Sequence, residues 1–180
     1  MGRVRTVTVA GALLLVTGCG VLHHGGDKAP PGPAPKPAEV IDAMRADVVA
    51  AVRAAMPGQE LSEPSYDHFG CKSSMWRDTS GSSKVVQSES AGAVGTVTDK
   101  RSADELIEAM VKSLTSRGWT ASDGASAAAR PGKKMAKHGI AGTVQLGASR
   151  FTLSSGKTVP MLNAVMSSDC LPNPDTASKS

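Results

Sequence analysis

Only five aromatic side chains occur in 180 residues: Tyr66, Phe69, Trp76, Trp119 and Phe151. A core for such a chain must be assembled from small aliphatic and Met side chains, with those five as the few large pieces. Such a core is thin for its length, and a covalent staple would help it.

The periodicity of the small aliphatic residues predicts two helices. Ile41, Met44, Val48, Val52 and Ala55 recur at helical spacing, with Asp42, Arg45, Asp47 and Arg53 mostly on other faces. This predicts a helix over 38–56. Pro37 suits its first turn, and Pro57-Gly58 ends it. Ser102-Ala103-Asp104-Glu105 matches a capping box, ahead of a stripe of Leu106, Ile107, Met110, Val111 and Leu114. Gly118 is a natural stop, with Trp119 placed to pack back on the helix.

The remaining segments read as strands. Residues 66–74 form an extended region carrying Cys71 and leading to Trp76. Residues 84–98 read as one long strand or a pair broken at Ala91-Gly92. After a patternless loop over 122–134, three strands are predicted, over 135–146, 150–153 and 158–167. Ser154-Ser155-Gly156-Lys157 makes the turn between the last two. In 158–167 both faces are largely apolar, which predicts a central strand. The expected fold is α+β: an antiparallel sheet of about four to five strands with two helices packed on one face. Residues 38–171 would form one domain, and 172–180 a disordered tail.

The first residues address location. Arg3 and Arg5 precede an apolar or small-residue run from Val7 to Val16, which is followed by Thr17, Gly18 and Cys19. A charged start, a short apolar centre and a small-residue cleavage point are the parts of a secretory signal. The run is shorter than the roughly 20 residues that span a bilayer. Residues 1–18 are therefore expected to leave the mature chain. Residues 19–37, which contain "DKAPPGPAPKP", read as an extended Pro-rich tether of up to about 50 Å.

Val16-Thr17-Gly18-Cys19 resembles the lipobox of bacterial lipoproteins. Leu is commoner in that family where Val16 stands, and Ala or Ser where Thr17 stands. The resemblance implies that the Cys19 thiol receives a diacylglyceryl group and that cleavage falls just before it. Two fatty acyl chains, such as palmitate, hold a protein stably where one holds it only marginally. With Cys19 taken by lipid, Cys71 and Cys170 remain as an even pair in an oxidising compartment, and a disulfide between them is expected. The alternative, two thiols serving a metal or catalysis, lacks a second Cys or His at ligand spacing. The order of elements, with Cys71, Gly118-Trp119 and Ser167-Ser168-Asp169-Cys170, also looks like small actinobacterial lipoproteins. In that family a Cys near the first strand pairs with one after the last, so the likeness implies a Cys71–Cys170 pairing here. That likeness implies a fold and a location, not an activity.

Charge excludes one class. The formal net charge is +4, and loss of Arg3 and Arg5 with the signal leaves +2. That is no nucleic-acid footprint, and no nucleic-acid partner is expected. Lys133, Lys134 and Lys137 read as a solvated loop and strand start.

No cofactor or metal is expected; the His23-His24 pair lacks a third ligand. Ser154-x-x-Lys157 fits a penicillin-recognising motif in letters only, because its Ser falls in a hairpin turn and no S-D-N or K-T-G follows. No catalytic residue is assigned. His68, beside Asp67, and His138 are the candidate bases, and Trp76 and Trp119 the candidate stacking surfaces. The expected function is a non-catalytic binding or interaction module. It would be anchored through Cys19 to the outer face of the cell membrane and take a protein or small-molecule ligand. The alternatives are a small cell-envelope hydrolase and an accessory or sensor subunit of a membrane complex; an exposed apolar patch of Met and Val would favour the second.

Overall fold

A computed structural model describes residues 33–71, 82–122 and 132–176. The capping box forms as its residue types dictate. Glu105 N–H donates to Ser102 Oγ at 3.2 Å, and Ser102 N–H donates to Glu105 Oε2 at 2.7 Å. It opens α2, Ala103–Thr115, whose Leu106, Ile107, Met110 and Leu114 are buried. The first helix, α1, runs Pro37–Ala55 with proline in its first turn. Its stripe of Ile41, Met44, Val48 and Val52 is fully buried.

Seven strands follow the α+β expectation, more than the four to five foreseen. They are β1 Tyr66–Gly70, β2 Lys84–Val94, β3 Trp119–Ala121, β4 Gly132–Lys137, β5 Gly142–Thr152, β6 Thr158–Ser168 and β7 Leu171–Pro172. The order across the sheet is β1-β2-β6-β5-β4-β3, every pairing is antiparallel, and β7 also pairs with β2. Both helices cover one face. The rows Ala91–Ala164–Leu146 and Glu89–Met166–Val144 point toward them. As expected, β6 lies at the centre. Among the described residues the helices cover only one of its faces, however: Met161, on the other, is 37% exposed, although Val159 beside it is buried.

Several expectations are corrected. The single strand over 135–146 is two strands, because His138-Gly139 reverses the chain; Gly139 sits at φ 82°, where a side chain is strained. The piece at 150–153 is the end of β5. Of the two readings of 84–98, the single strand is the one found: residues 84–94 run unbroken through Gly92. A Cβ there would lie 2.8 Å from Leu162 O, so Gly92 permits close strand approach rather than a break. The tail does not begin at 172. Pro172 belongs to β7, and Asn173 is buried, with its N–H donating to Ser83 O at 3.0 Å and its Nδ2 to Ser82 O at 3.0 Å. Of the five aromatics, Trp119 alone is found in the core. Tyr66, Phe69 and Phe151 are 58%, 37% and 51% exposed, and Trp76 lies outside the described residues. Met44, Met56, Met110, Met135 and Met166 supply the bulk instead.

The staple is present. Cys71, directly after β1, is bonded to Cys170, directly before β7, with Cα atoms 5.9 Å apart.

An ionic knot holds the start of α2. The Arg101 guanidinium donates to both oxygens of Asp99, at 3.0 and 2.6 Å, and to Ala55 O at 2.6 Å. Those side-chain hydrogen bonds outweigh burial, which acts upward, and hold the Asp99 carboxyl down at about 2. A depressed carboxyl contributes stability above its unfolded value of about 3.9 and loses it as pH falls through the folded value. Stability should therefore fall between about pH 4 and pH 2, and Asp99→Asn should flatten that part of the curve. Urea midpoints across that range check this; an unchanged acid slope in the variant would refute it.

Candidate functional site

Side chains of alternate residues on a strand face opposite sides, so register assigns every candidate to a face. His68 pairs with Gln87 on β2, on the side of the sheet that α1 covers. It is exposed and lines a cleft of about 210 Å³ with Lys36, Pro37, Val85, Gln87 and Asp175. Asn173 closes the cleft, using its amide on Ser82 and its Oδ1 on the Asp175 N–H at 3.0 Å. The cleft is small, part apolar and part polar, and sits where the chain enters α1.

His138 stands elsewhere. It is exposed in the β4–β5 turn. Four strand spacings separate β1 from β4 in the sheet order, which is about 19 Å at roughly 4.8 Å each. The two histidines do not share a site. Among the described residues no group of three His, Cys, Asp or Glu is placed to hold a metal ion.

Trp119 offers no ring to a ligand. It is fully buried between the sheet and α2, and its Nε1–H donates to Asp47 Oδ2 at 3.0 Å. Lys137 Nζ donates to the same oxygen at 2.8 Å, and Arg117 Nε lies 3.8 Å from the other. Burial pushes the Asp47 carboxyl up. The hydrogen bonds from Lys137 and Trp119, with the charges of Lys137 and Arg117, outweigh that and hold it below the usual carboxylate range. This cluster joins α1, the α2 end, β3 and β4, and is structural. So is the buried Glu89, whose carboxylate accepts two hydrogen bonds from Arg45, at 2.8 and 2.6 Å. Neither was foreseen, since residues 44 and 72 positions apart give no local signal. The basic cluster is partly paired as well: Lys133 Nζ donates to Glu108 Oε1 at 2.7 Å.

The face of the sheet without helices was not foreseen as a site. From Val86 to Val94 on β2, Val159 to Ser167 on β6 and Thr143 to Phe151 on β5, no residue of this face carries a charge. Its positions are small and polar toward the middle and apolar toward one end. There Val94 pairs with Met161, and Phe151 pairs with Val159. Val94 is 45% exposed, and Leu153, just beyond β5, is 37% exposed. The alternation in 158–167 already set Val159, Met161 and Val165 on one face; which face the helices cover was the missing fact.

Cys19 lies outside the described residues, and no helix among them is long and apolar enough to cross a membrane. The chain matches no protein family, no curated protein and no solved structure.

Proposed function

We propose that this protein is a lipid-anchored binding module on the extracytoplasmic side of a bacterial cell membrane. The Cys71–Cys170 bond carries the proposal, because disulfides form and persist in oxidising compartments. It supports export and leaves Cys19, in its lipobox-like setting, as the remaining cysteine. Acylation there would hold the domain on a Pro-rich tether while the uncharged stretch of its open face on β2, β6 and β5 meets a partner. The distance between His68 and His138 counts against an active site built from both. The exposed Met161 and Val94 favour, among the alternatives, an accessory role in a membrane complex.

Anchoring is tested by intact mass and fractionation. The mature chain should begin at Cys19, carry the mass of a diacylglyceryl group and show no titratable thiol. Cys19→Ala should abolish acylation and remove that mass. A chain found in the cytosol without lipid, with Cys71 and Cys170 reduced, would refute the proposal. Capture of membrane proteins by the acylated chain, compared with its Cys19→Ala form, then tests for a partner.

A further inference from the structure

The cleft beside the start of α1 has a finished frame. His68 lies just before Cys71 and Asn173 just after Cys170, so the disulfide ties both walls. Asn173 is buried and spends its groups on that frame. Its N–H and Nδ2 go to Ser83 O and Ser82 O, and its Oδ1 accepts the Asp175 N–H. Thr176 Oγ1 donates to Asn173 O at 2.9 Å and closes the turn. Pro37 and Val85, both buried, give the cleft an apolar floor, and Pro174 adds to it.

The polar lining is not spent on the frame. Among the described residues, the Lys36 ammonium, the His68 ring and the Gln87 side-chain amide have no hydrogen-bond partner in the chain. Gln87 is half-buried, and it is its backbone N–H, not its side chain, that donates to Ser168 Oγ at 3.0 Å. His68 and Gln87 are directly opposite across β1 and β2, with Cβ atoms about 5 Å apart. The nearby acids are engaged. Glu39 Oε2 accepts the Lys36 backbone N–H at 3.0 Å, and Glu39 lines a different groove, with Val40 and Ala43. Asp175 has a partner of its own. The groups left over are rich in donors: Lys36 offers only donors, His68 an N–H in either protonation state, and Gln87 both donors and an acceptor. An apolar floor with a few convergent polar groups is what a small-ligand site requires.

We infer that this cleft takes the carboxylate end of an acylated amino acid with an apolar side chain, the chemistry that also ends every peptide. The Lys36 ammonium and the His68 ring receive the carboxylate. The Gln87 amide pairs with the acyl amide group, and the side chain lies on Pro37 and Val85. A volume of about 210 Å³ is room for about seven waters at roughly 30 Å³ each, which suits one residue rather than a drug-sized molecule. A bare anion would leave the floor uncovered, and a neutral amide would leave the Lys36 charge unmatched. Val85 and Gln87 lie on the helix-covered side of the sheet, opposite the open face. The site therefore stands whether or not that face meets a partner and whether or not Cys19 carries lipid.

The test uses the full chain carrying Cys19→Ala, so that no acyl group is attached, and follows its amide resonances as N-acetyl-valine is added. The Gln87 side-chain amide and the backbone N–H groups of Ala38 and His68 should shift together and saturate, with a dissociation constant on the order of 1 mM. N-acetyl-valinamide, which lacks the carboxylate, should bind about 10-fold more weakly. Lys36→Met should weaken N-acetyl-valine by about the same factor and leave the amide unchanged, since a hydrogen bond to a charged group is at stake. Gln87→Met should weaken both probes alike, by about 5-fold. Unmoved resonances of the buried Leu106 and Leu114 certify that the variants are folded. N-acetyl-alanyl-alanyl-valine decides the source. Tighter binding than N-acetyl-valine assigns the cleft to a peptide terminus, equal binding assigns it to a single acylated residue, and both keep the ligand class. Four results would each overturn the inference: no saturable shift at the cleft, equal binding of acid and amide, acetate or inorganic phosphate binding as tightly as N-acetyl-valine, or full binding by Lys36→Met. Intact mass decides acylation of Cys19 separately, so the two ideas fail independently.

Discussion

Replacing Cys71 and Cys170 together by alanine lowers the thermal midpoint of the domain by about 10–20 °C. The bond spans 99 positions in sequence. Closing a loop of that size removes about 4–5 kcal/mol of chain entropy from the unfolded state, against a usual total of 5–15 kcal/mol. For a domain of about 150 residues, each kcal/mol moves the midpoint by about 2–4 °C. The native geometry adds to the case. Cys71 follows β1 and Cys170 precedes β7, and both strands pair with β2. Without the bond, β1 is held by five residue pairs and β7 by two. The parent chain under strong reductant should melt with the double variant, as followed by circular dichroism. A loss under about 3 °C would show that the unfolded chain is already compact without the bond.

The two helices were legible because each carries its whole signal within a few residues: the Ser102–Glu105 box, the Pro37 start and an apolar stripe. The strands were legible in place but not in extent. Residues 135–146 alternate through a reversal, and the only local mark of the turn is Gly139, one glycine among several with different tasks. Gly92 shows the ambiguity from the other side: the sequence leaves one strand or a break open there, and the glycine serves a close strand approach. β3 is three residues long, too short for a pattern, and exists because Trp119 is drawn beneath the helices while its backbone pairs with Lys137. β7 hides in a Pro-rich stretch that composition alone marks as loose; Asn173 fastens it through the backbone of residues 82 and 83. The aromatic residues misled for a general reason. A large apolar side chain is expected inside, but Phe151 and Tyr66 fall on strand positions that no helix covers or that lie at the sheet edge. The candidate surface stayed invisible for the same reason, because periodicity gives two faces and not which one the helices choose.

Trp119→Ala should have the next largest effect on stability, about 3–5 kcal/mol. The ring is fully buried, and no other aromatic side chain is found in the described core, so small neighbours cannot close the gap. Trp119→Phe separates packing from hydrogen bonding. It keeps most of the volume and removes the Nε1–H that donates to Asp47, which should cost about 1.5–3 kcal/mol for a bond to a charged acceptor. Asp47 retains Lys137 at 2.8 Å and Arg117 at 3.8 Å, so its charge is not left alone. The acid dependence should differ as well. Asp47 is depressed in the folded state, so its contribution is present above the ordinary carboxylate value and is lost as pH falls through the folded one. Losing a donor raises the folded value toward the ordinary one, and Trp119→Phe should flatten the acid limb. Chemical denaturation of both variants at neutral pH and near pH 3 measures each part. If the phenylalanine form is as destabilised as the alanine form, then the bond to Asp47, rather than the filling of the core, is what Trp119 contributes.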